Sequence, residues 1–245
     1  MSAKIPMARL DRLLANLGYG SRRDVTNLVA RGAVLCDGEV LKDAGVRIRL
    51  TPDLSDRMTV GGQPLDPPAP LTLLMHKPLD VVCSHREPGR SVYELLPQRW
   101  RARDPALSTI GRLDKDTSGL LLITDDGAFL HRVISPRHHV AKRYIATLAR
   151  AMSGDEHELF AAGTLMLEGE KDPLAPAVLE PLSDHEARLT ITEGRYHQVR
   201  RMFAAVGNHV LALHRDRIGD LELPAELGPG AWRILTPPQQ AAIFG

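Results

Sequence analysis

Leu10, Leu13, Leu14 and Leu17 recur at the three- and four-residue spacing that gathers one face of an α-helix, and Gly18 supplies a stop. Ser21, with Asp24 three residues on, predicts a capped second helix that turns Val25, Leu28 and Val29 inward and closes near Gly32. Residues 34–36 and 39–41 then read as strands joined through Asp37-Gly38, a pair suited to a tight hairpin turn. The result is a small α+β module of about 50 residues with Arg22 and Arg23 on the exposed first turn of its second helix. Residues 51–70 carry Pro52, Pro64, Pro67, Pro68, Pro70 and Gly61-Gly62 and read as a connector.

From Leu71 onward the apolar pattern shortens into strand-like runs at 71–75, 107–110, 120–124, 143–148, 187–192, 210–213 and 232–235. Val199, Met202, Phe203 and Val206 fall on one helical face. The runs do not alternate with long helices as a doubly wound fold requires, so the second domain is expected to be a mixed, mainly antiparallel sheet and the whole chain α+β. The expected division is 1–60, a linker at 61–70, and 71–245.

Length and composition change this picture little: 245 residues, 43% hydrophobic, 25% charged and a net charge of +1 are ordinary for a folded chain. No run is long and apolar enough for a membrane span, and the first residues lack a signal-peptide pattern, so the expected address is the cytoplasm, with no membrane partner. Cys36 and Cys83 stand far apart and form no metal-ligand spacing, which predicts two reduced thiols and no metal site. The charge is uneven. Residues 1–50 hold nine bases, Lys4, Arg9, Arg12, Arg22, Arg23, Arg31, Lys42, Arg47 and Arg49, against five acids, the balance of a phosphate-binding face.

Three polar clusters carry the candidate chemistry. The first is Gly111-Arg112-Leu113-Asp114-Lys115-Asp116-Thr117-Ser118-Gly119, where glycines bracket a loop that presents Asp114. The second is Lys142-Arg143-Tyr144 on a strand, and the third is the run from Glu193 to Arg201 that opens an amphipathic helix and suits capture of an anion. An acid, an aromatic and an arginine cluster together suggest a nucleotide or RNA substrate. Asp114-Lys115-Asp116-Thr117 also fits the pattern of aspartate-nucleophile phosphatases, but those need an apolar strand running directly into the first aspartate, and Gly111-Arg112 interrupts it here.

Arg9-Leu10-Asp11, Ser21-Arg22-Arg23, Arg31-Gly32-Ala33-Val34 and Asp37-Gly38 resemble the S4 RNA-binding module. His76-Lys77-Pro78, the Asp114 loop and Gly194-Arg195-Tyr196-His197-Gln198-Val199-Arg200-Arg201-Met202-Phe203 resemble the successive motifs of bacterial pseudouridine synthases that carry such a module. Ser135-Pro136-Arg137-His138-His139 and Leu213-His214-Arg215 are similar to the RsuA-type branch, which modifies small-subunit ribosomal RNA. One departure is Leu79-Asp80, since the family usually places glycine two residues after its Lys-Pro.

This resemblance implies isomerisation of a uridine in 16S ribosomal RNA, free or partly assembled into the small subunit, by an enzyme that needs no cofactor; the lack of an exposed coiled-coil pattern adds the expectation of a monomer with no obligate protein partner. The resemblance implies Asp114 as the catalytic carboxylate, acting either at the sugar or at the base. Arg200 would pair with Asp114 and keep it ionised, Tyr144 would stack on the uracil, and Arg112 would fill the gap left by the extruded base. Arg22, Arg23, Lys77, Arg195, His197, Gln198 and Arg201 are the expected RNA contacts. The alternatives are a 23S ribosomal RNA target and a non-catalytic ribosome-assembly factor.

Overall fold

The computed structural model describes residues 5–84 and 87–245; Lys4, counted among the bases above, lies outside them. The chain clusters into two compact units, one of residues 1–71, 96–108 and 124–126, the other of 72–95, 109–123 and 127–245.

In the first unit the order is β1 (Met7–Arg9), α1 (Leu10–Asn16), α2 (Arg22–Ala30), β2 (Val34–Cys36), β3 (Glu39–Val40), β4 (Arg47–Arg49), α3 (Leu54–Arg57), β5 (Met58–Val60) and β6 (Gln63–Pro64). The α1 leucines are buried, as their spacing predicts, in a core shared with Val25, Val29 and Val34. Ser21 and Asp24 form a reciprocal cap: Asp24 N–H donates to Ser21 Oγ at 3.3 Å and Ser21 N–H to Asp24 Oδ2 at 2.9 Å. Cys36 pairs with Glu39 across a two-residue turn in which Asp37 and Gly38 both take positive φ, 52° and 83°, the backbone a tight hairpin demands.

The stretch 51–70 is more than a connector. It contains α3, β5 and β6; β5 pairs with β2, completing the sheet order β3-β2-β5-β6, and Leu54, Met58, Val60 and Leu65 join the core. Its prolines and glycines obscured an apolar set that finds its partners only in the folded unit. The same unit holds a fully buried ion pair, Arg103 Nη2 to Asp125 Oδ2 at 2.9 Å, with Arg103 also donating to Pro67 O and Asp125 accepting from Leu71 N–H. Asp125 is thus a buried anchor as well as the start of a turn.

The second unit is built on a sheet whose described strands are β7 (Thr72–Lys77), β8 (Ser108–Ile110), β9 (Thr117–Thr124), β10 (Lys142–Leu148), β11 (Val178–Ser183), β12 (Glu186–Ile191), β13 (Val210–Ile218), β14 (Leu221–Glu222) and β15 (Trp232–Ile234). Their order is β11-β12-β10-β13-β9-β7-β15, with β14 on β13 and β8 on β9. β10 is antiparallel to both β12 and β13, β15 to β7, and β13 is parallel to β9, so the sheet is mixed and mainly antiparallel. β13 runs five residues beyond the expected end at Leu213, and β11 was not anticipated, because its residues are mostly exposed and Pro181 interrupts them beside a register shift. Between the strands lie α4 (Gly127–Ile134), α5 (Glu156–Ala161), α6 (Gln198–Ala205) and α7 (Pro237–Ala241). Leu74, Leu120, Leu122, Val133, Ile218 and Ile243 share one core, while Phe203 of α6 meets Phe160 of α5 edge-on at 5.5 Å.

Candidate active site

Asp114 sits in the irregular segment between β8 and β9, and Gly111 to Leu113 separate it from the end of β8, which is the wrong frame for the phosphatase pattern. What fixes this loop is the chain beneath it. Lys77 is wholly buried, and its ammonium donates to the carbonyls of Thr117 at 2.8 Å, Pro78 at 3.0 Å and Lys115 at 3.4 Å. Burial lowers its pKa, and these three carbonyls are what solvate it. Lys77 therefore braces the Asp114 loop and is not the RNA contact expected from sequence, because no part of it reaches the surface. Asp80 stands where the missing glycine was expected to matter: it adopts φ +61°, a left-handed conformation that aspartate tolerates better than most residues, and its N–H donates to Lys115 O at 2.9 Å.

Downstream, Gly119 lets β9 and β13 run side by side. Its φ is +113°, and a Cβ there would lie 2.1 Å from Arg215 O and 2.6 Å from Arg215 N. That close approach sets Arg215, 3% exposed, next to the Asp114 loop. Its Nε donates to Leu120 O at 2.9 Å and its Nη1 to the Tyr144 hydroxyl at 3.3 Å, whereas Nη2 has no partner among the described residues. Asp114, Lys142, Tyr144, His197 and Arg215 line one cavity of about 290 Å³. Lys142 is pushed down to about 8, first by burial and then by the Arg215 charge, with Glu193 opposing. Sequence reading left Lys142 and Arg215 without roles. Lys142 opens the second polar cluster and Arg215 closes the Leu213-His214-Arg215 stretch, but their inward direction depends on the β10 to β13 register, in which Tyr144 faces Arg215.

The start of α6 also differs from expectation. Arg200 does not pair with Asp114: it is bonded to Asp116, Nη2 to Oδ2 at 2.9 Å and to the Asp116 carbonyl at 3.1 Å, and its Nη1 donates to Val210 O. The basic side chain facing Asp114 is His197, with Nε2 3.3 Å from Oδ1. A carboxylate two residues from the expected partner intercepts the arginine, and no spacing rule separates the two. Arg195 and Arg201, expected to hold RNA, are instead clamped to the 168–173 segment, Arg195 to Asp172 O and Pro173 O and Arg201 to Glu170 and Glu168 O, while Arg195 also pairs with Glu193. Gln198 is 4% exposed and hydrogen-bonds Glu193 and the Arg195 N–H. These three residues set the shape of the helix start because their polar atoms already have partners. Arg112 is exposed and ion-paired with Glu87, and Arg22 and Arg23 are exposed on the first turn of α2.

An S4 domain matches residues 8–51, and the RNA pseudouridylate synthase family matches residues 72–205, more than half of the chain. The chain belongs to the RNA pseudouridylate synthase family, whose members are isomerases. It is 43% identical over 240 residues to ribosomal small subunit pseudouridine synthase A of Escherichia coli strain K12, covering 96% of this chain and 99% of that one. The protein of the same name from Vibrio cholerae is 41% identical over 236 residues, at the same coverage. A crystal structure of a pseudouridylate synthase superposes with a TM-score of 0.68 at 36% identity, covering 96% of this chain and 99% of that one.

Proposed function

We propose that this protein isomerises one uridine of 16S ribosomal RNA to pseudouridine, with Asp114 as its catalytic carboxylate, in the cytoplasm where that RNA is made and assembled. The observation that carries the reading is a nucleoside-sized cavity in which a carboxylate, a buried tyrosine and a guanidinium nitrogen unpartnered among the described residues converge. Likeness over the full length to small-subunit enzymes supports the choice of RNA.

The reaction breaks the bond between N1 and C1′, turns the uracil in place and joins C5 to C1′. A proton leaves C5 and one is gained at N1, so the formula is unchanged. Asp114 supplies the negative charge required by a route through either the sugar or the base. Tyr144, buried in the cavity wall, would pack against the uracil. Arg215 Nη2, buried and without an acceptor among the described residues, is a costly group that a uracil carbonyl oxygen would satisfy. The target must leave its stack to enter, at a cost of roughly a few kcal/mol, which favours an irregular RNA region.

The test is primer extension across carbodiimide-treated 16S RNA after incubation with wild-type protein or Asp114→Asn. One new stop with wild type and none with the variant is the expected result. A stop only in 23S RNA would replace the target, and no stop in free RNA or small-subunit particles would favour an assembly factor.

A further inference from the structure

Tyr196 is 76% exposed, more than any other large apolar side chain among the described residues, yet it is not loosely held. Its ring lies parallel to that of His197, with centroids 3.9 Å apart and 16° between planes. His197 in turn faces Asp114. The backbone beneath is fixed on both sides: Arg201 donates to Tyr196 O at 3.2 Å, and Arg195 is tied to the 172–173 carbonyls. His197 holds φ +47°, a conformation unfavourable for a residue with a Cβ, and it is this bend that aims the imidazole into the cavity beneath the tyrosine. The molecule thus maintains an exposed aromatic ring, one face covered and the other open, at the rim of the cavity that contains the catalytic carboxylate.

We propose that Tyr196 and His197 form a stacking platform for the RNA base adjacent to the reacting uridine. This rests on the function proposed above. Extruding a nucleotide strips one stacking face from each of its neighbours, and an aromatic ring at the cavity mouth replaces that loss. Covering one face with imidazole leaves room for a single base, and rigid mounting reduces the ordering cost of binding. A π-face accepts every base, so the platform contributes affinity and position with little sequence readout.

Tyr196→Ala is compared with Tyr196→Phe and Tyr196→Trp in single-turnover pseudouridine formation on 16S RNA transcribed in vitro. The alanine variant is expected to raise the half-saturating protein concentration about tenfold, more than it lowers the maximal rate, while phenylalanine and tryptophan retain wild-type values. Binding is also read with a short RNA carrying 2-aminopurine on each side of a uridine, whose emission is quenched by wild type and by Tyr196→Phe but not by Tyr196→Ala. Equal quenching by wild type and Tyr196→Ala overturns the platform, as does a phenylalanine variant as weak as alanine. Absence of pseudouridine with wild type strikes the proposed function alone, because the fluorescence comparison still decides the platform.

Discussion

Asp114 owes its place to the protein groups that hold its loop. Lys77 holds the loop through three carbonyls, Asp80 turns the chain into it, and Arg200 clasps Asp116. Lys142 provides a separate check on the cavity. Its folded pKa of about 8 lies below the ordinary lysine value of 10.5, so between these limits the unfolded chain holds a proton that the folded protein lacks. This group's contribution to stability therefore rises with pH from about 8 to 10.5, and below 8 the burial penalty on its ammonium is present in full. Urea unfolding of wild type and Lys142→Met at pH 7 and 9.5 is expected to show the difference moving in favour of wild type at the higher pH. A difference that stays constant would mean that Lys142 keeps its proton. Asp114 was legible because its bracketing glycines and its motif lie within nine residues. The Arg200 to Asp116 pairing was not, because Asp114 and Asp116 share a loop and only side-chain direction distinguishes them.

At the scale of elements, the site depends on one strand pairing. β9 and β13 lie parallel, and Arg215 can occupy the cavity because Gly119 presents no Cβ to its backbone. Gly119→Ala combines a collision with backbone atoms and a positive φ, and the expected loss is about 3 kcal/mol of stability, read by urea unfolding, together with failure to form pseudouridine. An alanine that leaves both unchanged would show that the strands separate freely there. Period-2 and continuous apolar runs exposed most strands of the sheet, since buried strands are dense in leucine and isoleucine. β11 escaped because its register is set by β12 and not by burial of its own side chains. The 51–70 elements escaped because proline and glycine counts outweighed four spaced apolar residues that find their partners only in the folded unit.

At the scale of the whole molecule, the first unit carries exposed arginines at a helix start and the second the candidate cavity. Arg22 and Arg23 sit beside the free N–H groups that open α2, an arrangement suited to backbone phosphate. Replacing both by glutamate is expected to weaken binding to 16S RNA and to flatten the dependence of log affinity on log salt by roughly one for each phosphate left unneutralised. Filter binding at salt concentrations from about 50 to about 200 mM gives the slope, and an unchanged slope would place the phosphate-binding face elsewhere. These substitutions are cleaner than cutting the chain at residue 60. Residues 96–108 cluster with the N-terminal unit, where Asp104 N–H bonds Asn16 O and Arg99 lies over the Tyr19 ring, so truncation would expose a surface made for burial.

The sequence by itself determined the helices with apolar periodicity, the capping box, the hairpin turn, most of the sheet, the Asp114 loop and the family, because each is encoded over a few neighbouring residues. Tertiary structure alone decided that Lys77 and Gln198 are buried braces, that Arg195 and Arg201 clamp a neighbouring loop, and that His197 and not Arg200 faces Asp114. It also decided that Arg215 and Lys142 enter the cavity. Those outcomes depend on strand register and on competition among nearby carboxylates and carbonyls for the same cations, and both are settled only when segments distant in sequence are packed together.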